Sequence, residues 1–284
     1  MQENDRPPIK YFGATDRWGI RQIADVWSAR ELLFRFFQRD LLIRYRQVVI
    51  GILWVLLQPM MGAMIFVGLF YLLDTNPSAG DVAYPVTILI GMLCWQMVSS
   101  SLRDATGSLV NYRHVVTKIY FPRLLLPLSG VRCGVFDFLI GSVLLIPLIA
   151  FTQTVVQWHT VLLCIPVFLW LIAFCIGCIA WLAPLNALYR DVGYALPFAL
   201  QIGMFVSPIV YDLEKATNRM SFWGQLLYEA NPVATCVSLM RWALVGSQPP
   251  SLPGMAAAMA VTVLLLLGGL AWFRYADQQL ADRI

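Results

Sequence analysis

The sequence predicts an all-α integral membrane protein with six transmembrane helices, on three observations. Of its 284 residues 59% are apolar and 13% charged, about half the charged share of an average soluble chain. Several charge-free runs reach the roughly 18 to 20 residues that a helix needs to cross a hydrocarbon core of about 30 Å. Lysine and arginine are also partitioned, with seventeen of the twenty on one set of alternate inter-span segments and three on the other.

The charge-free runs place spans at 48–73, 82–102, 138–152 with an apolar lead-in from Leu124, 160–189, 192–211 and 249–273. Only Arg190 and Asp191 separate the fourth run from the fifth, so that pair marks a tight turn at one membrane face. The basic side comprises residues 1–47, 103–132, Arg190 and the tail from 274. The positive-inside rule therefore puts both termini in the cytoplasm. Because the first apolar run follows nearly fifty polar and basic residues, no signal peptide is expected and the first span itself carries targeting. The resulting division is a cytoplasmic N-terminal segment, 1–47, and a transmembrane domain, 48–284.

Residues 26–46 contain neither Gly nor Pro, and a helical wheel places Leu33, Phe34, Phe37, Leu41 and Tyr45 opposite Glu31, Arg35, Arg39 and Arg46. This pattern predicts an amphipathic helix at the interface, its arginines facing phosphates or water. Between the second and third spans, residues 107–118 predict three helical turns. They set Leu109, Tyr112, Val116 and Ile119 against Arg113, His114 and Lys118, and Phe121-Pro122 stops the helix. On the other side, residues 212–248 are too long for a plain turn. After Asn231-Pro232 an apolar run reaches Val245 and closes at Gly246, predicting an interfacial or re-entrant helix too short to cross.

Several chemistries are excluded. No Gly-rich loop ending in Gly-Lys-Ser or Gly-Lys-Thr is present, so the chain does not bind ATP by a P-loop. A His-Glu-x-x-His motif, a paired Asp-x-x-Asp at a membrane face and a nucleophile elbow are absent as well. The third span holds Arg132 and Asp137 near its start, near enough to the cytoplasmic end to snorkel or pair. Cys175 and Cys178 sit in an apolar run without acidic or His neighbours, which reads as burial rather than metal binding. Aromatic residues are frequent. Trp54 and Tyr211 fit interface belts, while the mid-span Phe66, Phe70, Phe198 and Phe205 either pack between helices or line a path whose flat ring faces meet the C–H faces of sugars.

Four stretches, in order, carry a family resemblance: RDLLIRYRQVVIGILWVLLQPMMGAMIFVGLFYLL (39–73), VTKIYFPRLLLPLSG (116–130), LNALYRDVGYALPFALQIGMFVSPIVYD (185–212) and EANPV (229–233). Together they resemble the permease subunit of polysaccharide-exporting ABC transporters of the ABC-2 type, a group that includes O-antigen, capsule and teichoic acid exporters. The resemblance implies the six spans, an N-terminal interface helix, a coupling helix and exit-side gate helices. It also implies a homodimer in a bacterial inner membrane, joined by two copies of a separate ATPase subunit. ATP and Mg would bind on that partner, no cofactor or metal is expected on this chain, and nucleic acid is not a partner.

For individual residues the resemblance implies coupling to the ATPase at Tyr112, Arg113, His114, Val116 and Lys118. It implies an aromatic channel lined by Phe66, Phe70, Tyr71, Trp95, Tyr194, Phe198 and Phe205, and an exit gate at Asn231, Pro232, Arg241 and Trp242, with Arg241 and Trp242 at the outer interface. The pyrophosphate of a lipid-linked glycan is expected at a lateral entrance formed by Arg35, Arg39, Arg44 and Arg46, since arginine's planar fork suits phosphate oxygens. Two alternatives stay open: an ABC-2 exporter of a small lipophilic drug or lipid, and a membrane-embedded transferase acting on a polyprenyl carrier.

Overall fold

A computed structural model describes residues 30–45, 51–72, 84–116, 121–211, 213, 217 and 220–283. The described residues are helical with connecting turns. In chain order the helices are α1 (Arg30–Tyr45), α2 (Leu53–Leu72), α3 (Tyr84–Asn111), the single turn α4 (Arg113–Val116), α5 (Leu125–Ser142), α6 (Leu145–Thr152), α7 (Cys164–Leu188), α8 (Asp191–Val206), α9 (Phe222–Glu229), α10 (Pro232–Val245) and α11 (Leu252–Arg283). A 3-10 turn at Val161–Leu163 leads into α7.

Helix α3 is the axis of the bundle. It is buried along most of its length, whereas α2, α5, α7 and α11 keep much of their apolar surface turned outward, as lipid-facing helices do. Helices α2, α5, α7, α8 and α10 surround it. Between α2 and α3 the contacts are antiparallel and in register. They run from Gln58, which accepts from Gln96 at 2.7 Å, through Gly62 beside Met92, to the Phe70 ring edge-on to Tyr84 at 5.5 Å.

The α3–α5 seam is closer still, because small residues face each other across it. A Cβ on Gly130 would stand 2.6 Å from the Ala105 backbone nitrogen, and one on Gly134 would stand 2.9 Å from the Met97 carbonyl and closer to Ser101. Small residues that let backbones approach are how membrane helices gain packing where no hydrophobic force separates lipid from protein. Gly130→Val therefore forces two backbones apart, and overpacking of this kind costs about 1–3 kcal/mol or more. The expected result is a lower melting temperature in detergent and a reduced yield of monodisperse protein.

Among the described residues, five stretches are long and apolar enough to cross a membrane: Leu53–Leu72, Tyr84–Asn111, Leu125–Thr152, Val161–Leu188 and Leu252–Gln279. The run expected to make the fifth of six spans, 192–211, differs. Its helix, α8, has 16 residues, about 24 Å. It ends because Pro208 biases Ser207 to extended backbone (φ −88°, ψ 142°). The tight turn expected at Arg190-Asp191 is present: Tyr189 is extended and α8 starts at Asp191. A second difference lies in the 107–118 region. There α3 itself continues to Asn111, because Leu102, Ala105 and Leu109 keep burying the same face, and only Arg113–Val116 forms a separate turn.

Candidate functional site

Three assemblies stand out, and α8 carries the first. It meets the bundle through Leu196, Leu200 and Gly203, with the Trp95 ring 2.9 Å from where a Gly203 Cβ would lie. On a different face, at helical spacing, stand Tyr194, Phe198, Gln201 and Phe205, all exposed, with Tyr194 at 84%. Of the other aromatic residues expected on a channel, Tyr71 is exposed at the end of α2, Phe66 and Phe70 are half-buried against the core, and Trp95 is a core residue behind α8. An open helix face with three rings and one amide offers flat apolar surface plus a hydrogen-bonding group, the chemistry that sugars contact weakly and repeatedly.

The second assembly satisfies a backbone. After α8 the chain leaves the helix at Ser207 and turns irregularly through Ser207–Tyr211, the Ile209 amide donating back to the Ser207 carbonyl at 2.8 Å, and Ile209 and Val210 are buried. Non-helical backbone inside such a bundle is stable only where its polar groups find partners. Arg241 on α10 supplies most of them. Its Nη1 donates to the carbonyls of Pro208 (3.0 Å) and Tyr211 (2.9 Å), its Nη2 to Ile209 (2.5 Å), and its Nε to Thr87 on α3 (3.0 Å). The Tyr84 hydroxyl donates to the Val210 carbonyl at 3.1 Å, and that of Tyr211 donates back to the Phe205 carbonyl at 3.0 Å. Gly91 makes the space, since a Cβ there would lie 2.4 Å from the Ile209 oxygen and 2.8 Å from Arg241.

Arg241 is 3% exposed, so it is an internal clamp rather than a side chain at the outer interface; Trp242 beside it is half-buried. Asn231 caps α10, accepting from the Val233 amide at 3.0 Å, and Pro232 occupies the first turn, where no N–H is needed. The same Asn231 donates to the Ser207 hydroxyl at 3.0 Å. Gly246, at φ 74°, ends the helix. Thus α10 holds the end of α8 from two positions.

The third assembly lies at the basic end of the bundle. Contacts of α1 with the following chain progress in one direction, from Phe36 against Phe121, through Asp40 accepting from Ser129 at 2.8 Å, to the Tyr45 hydroxyl donating to Asp137 at 2.6 Å. Arg44 forms ion pairs with Asp137 at 3.0 Å and Asp104 at 3.1 Å. The Tyr112 hydroxyl also donates to Asp40, and the Arg39 guanidinium stacks over the Tyr112 ring, 3.9 Å from its centroid. Burial, then the hydrogen bond to Asp40, pushes the Tyr112 phenol up to about 12, so it remains a donor at any physiological pH.

The inward face of α1 is therefore Leu33, Phe36 and Asp40, while Phe34 is half exposed. The wheel placed Leu33 and Tyr45 correctly and Phe34 wrongly, and it left Asp40 unassigned, although Ser129 and Tyr112 give that carboxylate an inward place. Of the four arginines expected at an entrance, Arg39 and Arg44 are engaged within the chain, Arg35 is exposed, and Arg46 lies outside the described residues. Arg35 lines an open concavity of about 480 Å³ with Glu31, Phe34, Gln38 and Arg132. Arg113 and His114 are exposed on α4, which ends at Val116; Lys118 lies outside the described residues.

Residues 31–245 match the ABC-2 type transporter family. The chain belongs to that family. This ABC-2 chain is also similar, along nearly its whole length, to an O-antigen export system permease protein RfbA of Myxococcus xanthus, with 26% identity over 266 residues that cover 93% of this chain and 100% of the relative. A Klebsiella pneumoniae protein of the same name is 24% identical over 203 residues, covering 70% of this chain and 74% of its own. Membership identifies a multi-pass membrane subunit of a transporter. Three residues that organise the ABC-2 chain were missed by sequence reasoning: Asp40, Asp104 and the buried Asn186, whose amide donates to the Thr106 carbonyl at 3.0 Å across α7 and α3. An isolated polar residue in an apolar run is the one signal that marked Asn186.

Proposed function

We propose that this chain is the transmembrane subunit of an ATP-driven exporter that moves a lipid-linked polysaccharide, O-antigen in particular, from the cytoplasmic to the outer side of a bacterial inner membrane. The observation that carries this reading is the end-to-end similarity to a relative named as an O-antigen export permease. The basic end of the bundle is then cytoplasmic. Two copies of the chain assemble so that their α8 faces, with Tyr194, Phe198 and Phe205, border a shared path, and Tyr71 on α2 contributes near one mouth.

The nucleotide chemistry belongs to two copies of a partner ATPase, because no phosphate-binding loop occurs in this sequence. That partner docks on Tyr112 and the α4 turn with Arg113, His114 and Val116, and on Lys118 beyond it. Arg35, with Arg132 beside it in the open concavity, is the accessible pair for a lipid pyrophosphate; Arg39 and Arg44 serve the chain's own carboxylates instead. The Asn231, Pro232 and Arg241 clamp, with Trp242, fixes the outer end of the path.

The test is to purify the chain from its native cells together with any ABC ATPase that it retains, and to measure ATP turnover in nanodiscs with and without a lipid-linked glycan. A stable complex whose turnover rises with glycan supports the reading. A chain that never copurifies with an ATPase and shows no response to ATP refutes it.

A further inference from the structure

The ion pairs of Arg44 do more than anchor α1. Asp137 lies twelve residues into α5 and is 4% exposed, which places a carboxylate deep in the bundle, where a lone charge is expensive. Neighbouring residues of α1, Arg44 and Tyr45, satisfy it together. Stability alone does not account for such a pair, because a buried ion pair is often no more stable than a well-packed apolar pair of similar volume. What the ion pair adds is a choice of partner. A single nitrogen, Arg44 Nη1, contacts both Asp137 at 3.0 Å and Asp104 on α3 at 3.1 Å. The two carboxylates differ in environment, with side-chain exposures of 3% and 41%. The guanidinium has a charged seat on either helix and keeps one charged partner when α3 and α5 shift relative to each other.

One helical turn earlier on α1, Asp40 is bound by Tyr112, immediately before the α4 turn, and by Ser129 on α5. A displacement at Tyr112 therefore reaches α5 along two connected routes, through α3 to Asp104 and through α1 to Asp137. We propose that Arg44 is a positioning residue that exchanges between Asp137 and Asp104 during the transport cycle, making α1 the lever that carries movement of the ATPase-docking turn into α5. This rests on the functional reading above, in which the ATPase docks at Tyr112 and α4.

The decisive variant is Asp104→Asn, a change at a half-exposed side chain that leaves Asp137 paired. It is measured in the reconstituted complex for assembly, ATP turnover and ATP-dependent glycan export. The expected result is a complex that assembles and hydrolyses ATP while export per ATP falls at least threefold. Export per ATP equal to that of the unaltered chain overturns the exchange. A second comparison separates transmission from simple stability: Arg44→Met alone leaves the Asp137 charge without its counter-ion and with the Tyr45 hydroxyl as its remaining partner, whereas Arg44→Met with Asp137→Leu removes both charges of the pair. The double variant is expected to recover the assembly lost in the single one and still export at least tenfold more slowly, and full export by the double variant assigns the pair a purely structural role. Failure of the unaltered chain to bind any ATPase would instead remove the functional reading on which the lever rests.

Discussion

Arg241→Met is expected to prevent accumulation of folded protein. Methionine keeps much of the side-chain volume but donates no hydrogen bond, so the carbonyls of Pro208, Ile209 and Tyr211 lose their Arg241 donors inside the bundle, along with that of Thr87. Hydrogen bonds to a charged group contribute about 1.5–3 kcal/mol each, and stranding a buried polar group adds its desolvation cost. Even with partial relaxation, a loss of about 3–5 kcal/mol is a large share of the roughly 5–15 kcal/mol that holds a typical domain folded. Arg241→Lys keeps the charge without the planar fork and cannot reach all four oxygens at once, so an intermediate loss is expected. The check is the monodisperse fraction and thermal midpoint in detergent, ranked unaltered, Lys, Met. A Met variant as stable as the unaltered chain would mean that the Ser207–Tyr211 segment is held by something other than Arg241.

The second large effect is expected at the open face of α8. Replacing Tyr194, Phe198 and Phe205 together by alanine removes three exposed rings and touches none of Leu196, Leu200 or Gly203, by which α8 packs. Folding and ATPase binding are therefore expected to survive. Contact with an aromatic face contributes on the order of 1 kcal/mol per ring, and loss along a repeating path multiplies, so export is expected to drop at least tenfold. Trp95→Phe is the control, since it perturbs the core contact with Gly203 without altering the open face. Measured in proteoliposomes, undiminished export by the triple alanine variant would remove the rings from the path.

Much of this architecture was legible because it depends on local sequence. The Asn231-Pro232 start and the Gly246 stop of α10 are capping chemistry, readable from a few residues. The Arg190-Asp191 turn was visible as the one charged break in a long apolar stretch. By contrast, the end of α3 and the course of the chain after α8 depend on tertiary contacts: α3 runs on because Leu109 is covered, and the irregular segment that follows the local stop at Ser207-Pro208 is satisfied by Arg241, Tyr84 and Asn231 from elsewhere in the chain. Arginines looked alike in sequence, yet Arg241 is buried and Arg44 is held by carboxylates of its own chain while Arg35 is exposed. Nothing local separates them, since Asp137 lies 93 residues from Arg44 and the carbonyls around Arg241 belong to backbone, which leaves no trace in composition.

The central claim, export of a lipid-linked polysaccharide through this chain, is tested most directly in a strain from which its gene has been deleted. Surface glycan is measured by immunoblot of intact cells, and lipid-linked glycan by extraction of spheroplast membranes, with and without the restored gene. The account predicts that deletion abolishes surface glycan while completed lipid-linked polymer accumulates on the cytoplasmic side, and that the restored gene reverses both. Normal surface glycan without the chain would contradict it, as would a loss of surface glycan unaccompanied by any accumulated lipid-linked polymer.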